Sequence, residues 1–135
     1  MDEKKKLKNN ILIVEDEHDI REIYAEVLSS IGYVVDQVAD GETGMQKIRD
    51  DDWDILLLDI MLPGKDGIKI LKEIKDHPEL KKGVVIVLTN LNSENIIQEV
   101  FGSGADGYLI KSEITPDKIA EEVARVLANQ EENRN

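Results

Sequence analysis

The segment ILLLDIMLPG, residues 55–64, places four consecutive aliphatic residues directly before Asp59. An unbroken aliphatic run of this length is typical of a strand that is buried on both faces of a parallel sheet. Residues 11–14 and 84–88 are aliphatic in the same way, and we predict that they form the other central strands. Residues 33–38 and 107–110 are more mixed, which fits strands nearer the edges of the sheet.

Between these runs, apolar residues recur at a spacing of three or four, which predicts an amphipathic helix after each strand. Gly32 and Gly104 are expected to end the first and fourth helices. The expected N-caps are Asp40, Asp66, Ser93 and Thr115. The buried helix faces are predicted to carry Ile20, Ile23, Tyr24, Val27, Leu28 and Ile31; Gly44, Met45 and Ile48; Ile68, Leu71 and Ile74; Ile96, Ile97, Val100 and Phe101; and Ile119, Val123, Val126 and Leu127.

This alternation of strands and helices predicts an α/β fold, in which a doubly wound parallel sheet lies between two layers of helices as a three-layer sandwich. The whole chain, residues 1–135, is expected to form one domain, with its core at about residues 9–129 and frayed polar ends. In such sheets ligands bind at the carboxyl ends of the strands. Functional residues are therefore expected at that edge.

The composition argues against several classes of function. The chain has 17 Lys and Arg residues against 29 Asp and Glu residues, a formal charge of -12, so nucleic-acid binding by this domain is not expected. The absence of cysteine from the sequence excludes a disulfide framework and a thiolate metal site. The sequence has neither a long apolar stretch nor a secretory signal, so no membrane association is expected and the predicted location is cytoplasmic.

Charged and polar residues follow the predicted strands where each one ends. Glu15 and Asp16 follow the first strand, and Asp59, Thr89 and Lys111 follow the third, fourth and fifth. Carboxylates that converge at one edge raise each other's pKa unless a cation lies among them. An Mg²⁺ ion, which takes oxygen ligands and often pairs one or two carboxylates with a phosphate, suits this edge, and the ammonium of Lys111 is a second candidate cation.

A carboxylate beside Mg²⁺ can attack phosphorus and form an acyl phosphate when cations and donors meet the charge of the phosphoryl group. Asp59 is the central candidate for this nucleophile. In this scheme Glu15 and Asp16 hold the metal, and the backbone carbonyl of Met61 is a further candidate ligand. Lys111 pairs with a phosphoryl oxygen, and Thr89 donates a hydroxyl hydrogen bond to it.

At these residues the sequence resembles the receiver domains of response regulators, the phospho-acceptor modules of two-component signalling. The likeness covers about residues 9–129 and depends on several fragments in a fixed order, which are weak signals singly and a strong one together. It implies a flavodoxin-like (βα)5 fold with strand order 2-1-3-4-5. The fragments are ILIVED at 11–16, LLDIMLPG at 57–64, DG at 66–67, LT at 88–89 and GADGYLIK at 104–111.

The resemblance implies that a histidine kinase or phosphotransfer protein phosphorylates Asp59 in an Mg²⁺-dependent reaction. By position, Glu15 and Asp16 bind Mg²⁺, Thr89 and Lys111 sense the phosphoryl group, and Tyr108 matches the aromatic residue that changes rotamer. The face formed by the fourth helix, fifth strand and fifth helix then changes for a downstream effector protein, and a homodimer that forms on phosphorylation is compatible with this scheme. Such a phospho-acceptor switch is not an enzyme, since it catalyses only its own phosphorylation and slow dephosphorylation.

Two positions depart from the family's pattern. Lys111 is followed by Ser112 where the family usually has proline in a cis bond, and a cis bond to a non-proline residue is about 3 kcal/mol less favourable than the trans form. Asn90 follows Thr89 where a small residue is usual. These departures leave open the shape of the loop after the last strand and the access to the phosphoryl group.

Three other interpretations are compatible with parts of the sequence. The chain can be a receiver fragment of a longer DNA-binding transcriptional regulator. Its acidic composition argues against DNA binding by these residues only, and not by another domain. A scaffold that binds partners without phosphorylation is a second alternative, which Asp59→Asn would separate from a switch. A phosphatase of the haloacid-dehalogenase type ranks low, because Met61 stands where such an enzyme has a second acid.

Met61 and Leu91 predict a long-lived phosphorylated state. They lie two residues after Asp59 and Thr89, at positions that in receiver domains determine how long the phosphoryl group stays on the aspartate. Neither side chain can orient an attacking water. We expect slow loss of a radioactive phosphoryl label, and faster loss when either residue is replaced by an acid or an amide. Rapid loss that neither replacement changes would contradict this prediction.

Overall fold

The computed structural model describes residues 9–62, 66–90 and 94–134, and within them five strands form one parallel sheet. Short 3-10 helices cover Pro78–Leu80 and Lys111–Glu113. The longer elements are β1 Asn10–Val14, α1 His18–Ser30, β2 Val34–Val38, α2 Gly41–Asp50, β3 Ile55–Asp59, α3 Gly67–Asp76, β4 Val84–Thr89, α4 Glu94–Gly102, β5 Gly107–Ile110 and α5 Pro116–Arg134. The strand order is β2-β1-β3-β4-β5, which confirms the predicted fold class.

The helices lie in two layers because side chains alternate across each strand. In β1, Ile11 and Ile13 pack in a buried cluster with residues of α1 and α5. Leu12 and Val14 pack in a second cluster with residues of α2, α3 and α4. β3 is buried along its whole length, as its unbroken aliphatic run predicts. The sheet is therefore the middle layer of a three-layer sandwich.

The predicted caps that fall on described residues hold their helices. Asp40 and Asp66 each accept a hydrogen bond at 2.8 Å from a backbone amide in the first turn of α2 and α3. Thr115 accepts one at 3.3 Å from the amide of Lys118 in α5. Ser93, the predicted cap of α4, lies outside the described residues.

Three apolar residues that the helical spacing assigns to buried faces are instead exposed. Ile23, Ile31 and Phe101 are 46%, 56% and 45% accessible. Ile31 lies beyond the last residue of α1, where Gly32 with φ of 111° turns the chain away. Phe101 stands edge-on to Tyr108, with 5.7 Å between the ring centres, rather than inside the core. The helical spacing identifies which residues form an apolar stripe. How much of that stripe is buried depends on the width of the neighbouring surface against which the helix packs.

The carboxyl-terminal end also differs from the expectation. α5 continues to Arg134, so the backbone of residues 129–134, which the composition assigns to a frayed end, is helical. Among the residues of this helix whose burial the structure describes, which end at residue 130, Val126 is the last buried one. Among the residues that the structure describes, no helix is long and apolar enough to span a membrane.

Gly67 allows α3 to begin directly against the end of β3. A Cβ atom at this position would collide with the Cα of Ile60 and lie 2.6 Å from the carbonyl oxygen of Asp59. We expect Gly67→Ala to lower the free energy of unfolding by about 3 kcal/mol, because backbone atoms have to move. Urea unfolding followed by the fluorescence of the buried Trp53 measures this loss.

Gly102→Ala in α4 is the matched control, since a Cβ at that position has no neighbour within 4 Å among the described residues. It is expected to leave stability unchanged or to raise it slightly through better helix propensity. Equal effects of the two substitutions would show that the close approach at Gly67 is not a constraint.

Candidate functional site

The candidate site forms where the strands end together. Asp59, the last residue of β3, pairs in register with Leu88 of β4, and Thr89 pairs with Ile110 of β5. Glu15 directly follows β1, and its backbone N–H donates to the last residue of β2 at 3.1 Å. Parallel pairing therefore brings residues from distant parts of the sequence to one edge of the sheet.

Three carboxylates meet at this edge. One carboxylate oxygen from each of Glu15, Asp16 and Asp59 lies within 4.8 Å of the others, a spacing that can hold a metal ion. Glu15 and Asp59 are 0% and 2% exposed, whereas Asp16 is exposed. Two of the three carboxylates are thus buried, and the third is open to solvent.

The ammonium group of Lys111 lies against the same carboxylates. Its Nζ is 3.1 Å from Oε2 of Glu15, 3.2 Å from Oδ2 of Asp59 and 2.9 Å from Oε1 of Glu17. The Lys111 side chain is only 7% exposed. One cation therefore bonds three anions in a largely buried setting, where charges interact strongly.

Glu17 is the residue of this cluster that the sequence analysis did not single out. Its carboxylate accepts from Lys111, and its backbone N–H donates to Oε2 of Glu15 at 3.0 Å. The signal in the sequence is an acidic run, Glu15-Asp16-Glu17, immediately after a buried strand. The run alone does not show which of its members turns toward Lys111.

Backbone amides fix the orientation of the two buried carboxylates. The N–H of Met61 donates to Oδ1 of Asp59 at 3.0 Å, and the N–H of Glu17 donates to Oε2 of Glu15 at 3.0 Å. The guanidinium of Arg21 also donates to the backbone carbonyl oxygen of Glu15 at 2.9 Å. Oε1 of Glu15 lies 3.0 Å from the Lys111 ammonium, yet within the described residues it is buried and accepts no hydrogen bond. This oxygen has an ion-pair contact but no hydrogen bond, and Glu15 offers an oxygen within 4.8 Å of one from each of Asp16 and Asp59, so the residues present fit a hard divalent ion.

The pKa values at the site follow from burial and from charge. Burial raises the pKa of Glu15 to about 7, although the amide of Glu17 opposes this shift, and the charge of Asp59 raises it further. Burial also raises the pKa of Asp59. Burial alone would lower the pKa of Lys111, but its bonds to Glu17 and Glu15 and the charge of Asp59 raise it instead. The site therefore holds more carboxylates than its own ammonium can balance.

The remaining predicted residues lie around this centre. Thr89 is 1% exposed at the end of β4, and Tyr108 of β5 is half-buried. The peptide bond between Lys111 and Ser112 is trans, and the chain there forms a 3-10 turn. The contact that the structure describes for Met61 is made by its backbone amide. The role of its backbone carbonyl as a metal ligand therefore stays a prediction. Leu91 lies outside the described residues.

Comparison with known proteins identifies the family. The family model of the response regulator receiver domain matches residues 11–124. The chain therefore belongs to the receiver domain family of two-component response regulators. Members of this family are signalling switches and not classical enzymes.

Similar proteins of known sequence or structure agree with this assignment. The transcriptional regulatory protein HprR of Escherichia coli K12 is 39% identical over 118 residues, which are 87% of this chain and 50% of HprR. This chain thus spans about half the length of that relative. The CheY-like receiver domain protein of Methanospirillum hungatei JF-1 is 28% identical with a TM-score of 0.84, over 93% of this chain and 98% of its own. The BeF3-activated receiver domain of DrrB from Thermotoga maritima is 28% identical with a TM-score of 0.78, over 90% and 99% of the two chains.

Removing the charge of Glu15 is expected to change how stability depends on pH. Because burial raises its pKa from the ordinary 4.5 to about 7, the folded protein retains a proton in this range that the unfolded chain releases. Stability therefore falls as the pH rises from 4.5 to about 7, and the loss is complete above that range. Glu15→Gln cannot titrate, so it should gain stability over wild type across this window, by roughly 3 kcal/mol at most.

Urea unfolding of the metal-free proteins at several pH values, with a chelator present, measures this difference. Glu26→Gln, at an exposed position of α1, is the matched control and is expected to follow wild type. A difference between Glu15→Gln and wild type that stays constant with pH would contradict the prediction.

Proposed function

We propose that the chain accepts a phosphoryl group on Asp59, in an Mg²⁺-dependent reaction, from a histidine kinase or a phosphotransfer protein. The observation that carries this proposal is the position of the Asp59 carboxylate. It is buried, lies 3.2 Å from the Lys111 ammonium and belongs to a cluster of three carboxylates that can hold a cation. A nucleophile, a cation for the phosphoryl charge and a metal site thus share one edge of the sheet.

In the proposed reaction an oxygen of Asp59 attacks the phosphorus of a phosphohistidine. The new O–P bond forms as the P–N bond breaks, and the imidazole nitrogen leaves with the electron pair. Lys111 pairs with a phosphoryl oxygen, and the hydroxyl of Thr89 donates to another. Glu15, Asp16 and Asp59 would hold Mg²⁺, with the carbonyl of Met61 as a further ligand, and the ion when bound offsets the phosphoryl charge.

Phosphorylation replaces the single negative charge of the Asp59 carboxylate with a phosphoryl group that carries up to two negative charges and new acceptor oxygens. The groups that meet them, Thr89 and Lys111, lie at the ends of β4 and β5, so their movement changes the surface formed by α4, β5 and α5. Tyr108 is half-buried on β5 and contacts the exposed ring of Phe101 on that surface. We therefore assign the switch to Thr89 and Tyr108, and its reader is an effector protein or a second copy of the chain.

The proposed chemistry of the chain itself is limited to its own phosphorylation and the slow hydrolysis of the acyl phosphate. The side chain of Met61, next to the site, is 62% exposed and apolar, so it offers no group that activates water. This property separates the proposed switch from a phosphatase that turns over many phosphoesters.

A second candidate is that these residues are the receiver part of a longer transcriptional regulator. It is favoured by the likeness to HprR, a transcriptional regulatory protein of which the matched region is 50%. The charge of -12 argues that DNA contacts would then lie outside this domain. The domain extent of residues 1–135 stays a prediction, and so does the cytoplasmic location.

Incubation with acetyl phosphate tests the phospho-acceptor directly. We expect intact mass spectrometry to show a gain of one phosphoryl group, dependent on Mg²⁺ and abolished in Asp59→Asn. Asp66→Asn is the control, because Asp66 is an exposed aspartate at the same edge and asparagine preserves its capping hydrogen bond. Equal labelling of Asp59→Asn and wild type would overturn the assignment of Asp59, and normal signalling by Asp59→Asn would favour a scaffold.

A further inference from the structure

All three N–H groups of the Lys111 ammonium are taken by carboxylates. The hydrogen-bond distances from Nζ are 2.9 Å to Oε1 of Glu17, 3.1 Å to Oε2 of Glu15 and 3.2 Å to Oδ2 of Asp59. With the Lys111 side chain 7% exposed, little room is left for water to share these donors. The phosphoryl group is attached to Asp59 and extends beyond its carboxylate, so a Lys111 ammonium that follows a phosphoryl oxygen has to loosen its bond to one of the two glutamates.

Glu15 and Glu17 differ in how easily each can give up its bond to Lys111. Glu15 is 0% exposed, and its Oε2 and its backbone carbonyl are held by Glu17 N–H and by Arg21. Losing the bond to Lys111 would leave the buried charge of Glu15 without a cation, which is costly. The Glu17 side chain is 55% exposed and can turn into water. Glu17 is thus the partner that Lys111 can exchange.

We infer that Glu17 is a positioning residue that holds the Lys111 ammonium while Asp59 is unmodified and releases it when a phosphoryl group arrives. The inference rests on the proposed function and adds a regulatory contact to the same site. A bond that exists only in the unmodified state stabilises that state and opposes phosphorylation. The negative charge of Glu17 acts in the same direction, because it repels the incoming group.

Beryllofluoride, which stands in for the phosphoryl group, measures the effect at equilibrium. In saturating Mg²⁺, with binding followed by amide NMR, we expect Glu17→Gln to bind it about two- to fivefold more tightly than wild type, as fits a half-exposed ion pair. Glu17→Asp keeps the charge on a side chain that is one methylene shorter, which weakens the contact with Lys111, so it should also bind more tightly. Asp19→Asn, whose side chain is 96% exposed, removes a nearby charge that does not contact Lys111 and should match wild type.

The ammonium of Lys111 supplies a readout that a merely structural role of Glu17 would not change. In protein with ¹⁵N-labelled lysine, we expect the Nζ protons of Lys111 to exchange with water more rapidly in unliganded Glu17→Gln than in unliganded wild type. After beryllofluoride is bound, the two proteins should show the same resonance and the same exchange rate, since the contact with Glu17 is absent from both.

The outcomes separate the two proposals. If no variant binds beryllofluoride and wild type gains no phosphoryl mass, the proposed function fails, and the role of Glu17 fails with it. If wild type binds normally and Glu17→Gln binds no more tightly, the inference about Glu17 is overturned and the phospho-acceptor stands. Tighter binding by Glu17→Gln and Asp19→Asn alike, with Glu17→Asp unchanged, would assign the effect to charge alone and also overturn the inference.

Discussion

The rest of the site depends on a single buried cation, the ammonium of Lys111, which lies among the carboxylates of Glu15, Glu17 and Asp59. Burial already makes Glu15 and Asp59 harder to ionise, and it raises the pKa of both. Without a cation beside them, these groups would take up protons, and a protonated Asp59 is no nucleophile. The chemistry proposed for the site thus requires the ammonium of Lys111 beside these carboxylates.

The position of Lys111 is in turn a property of the whole sheet. Lys111 is 96 residues from Glu15 and 52 residues from Asp59 in sequence, so their contacts exist only when β1, β3, β4 and β5 are paired in register. The helices hold that register closely. A Cβ atom at Gly44 of α2 would lie 2.9 Å from a methyl group of Val14, the residue before Glu15. Tight packing beneath the strand ends therefore leaves the carboxylates little freedom to move apart.

Most of the fold and the centre of the site could be predicted, because they follow from patterns along the chain. Aliphatic runs marked the central strands, and a parallel sheet places the residues after them at one edge. Glu17 was missed because its contact depends on how a short loop turns, which an acidic run does not reveal. Phe101 was wrongly assigned to the buried face of α4. Its contact is with Tyr108 of β5, and the spacing of apolar residues within α4 carries no information about β5.

The balance of charge supports the proposal that this site acts as a switch. Four carboxylates, those of Glu15, Asp16, Glu17 and Asp59, lie at this edge, and all of them except Asp16 bond the one ammonium of Lys111. The metal-free edge therefore carries a surplus of negative charge. A dianionic group entering that edge would be repelled, and a hard divalent cation held by the same oxygens reverses the sign of the interaction. Lys111 then has a stronger acceptor than its glutamate partners. Because Lys111 follows β5, the proposed change of its partner would act on the strand that carries Tyr108. In this proposal, chemistry at Asp59 is coupled to a surface that another protein can contact.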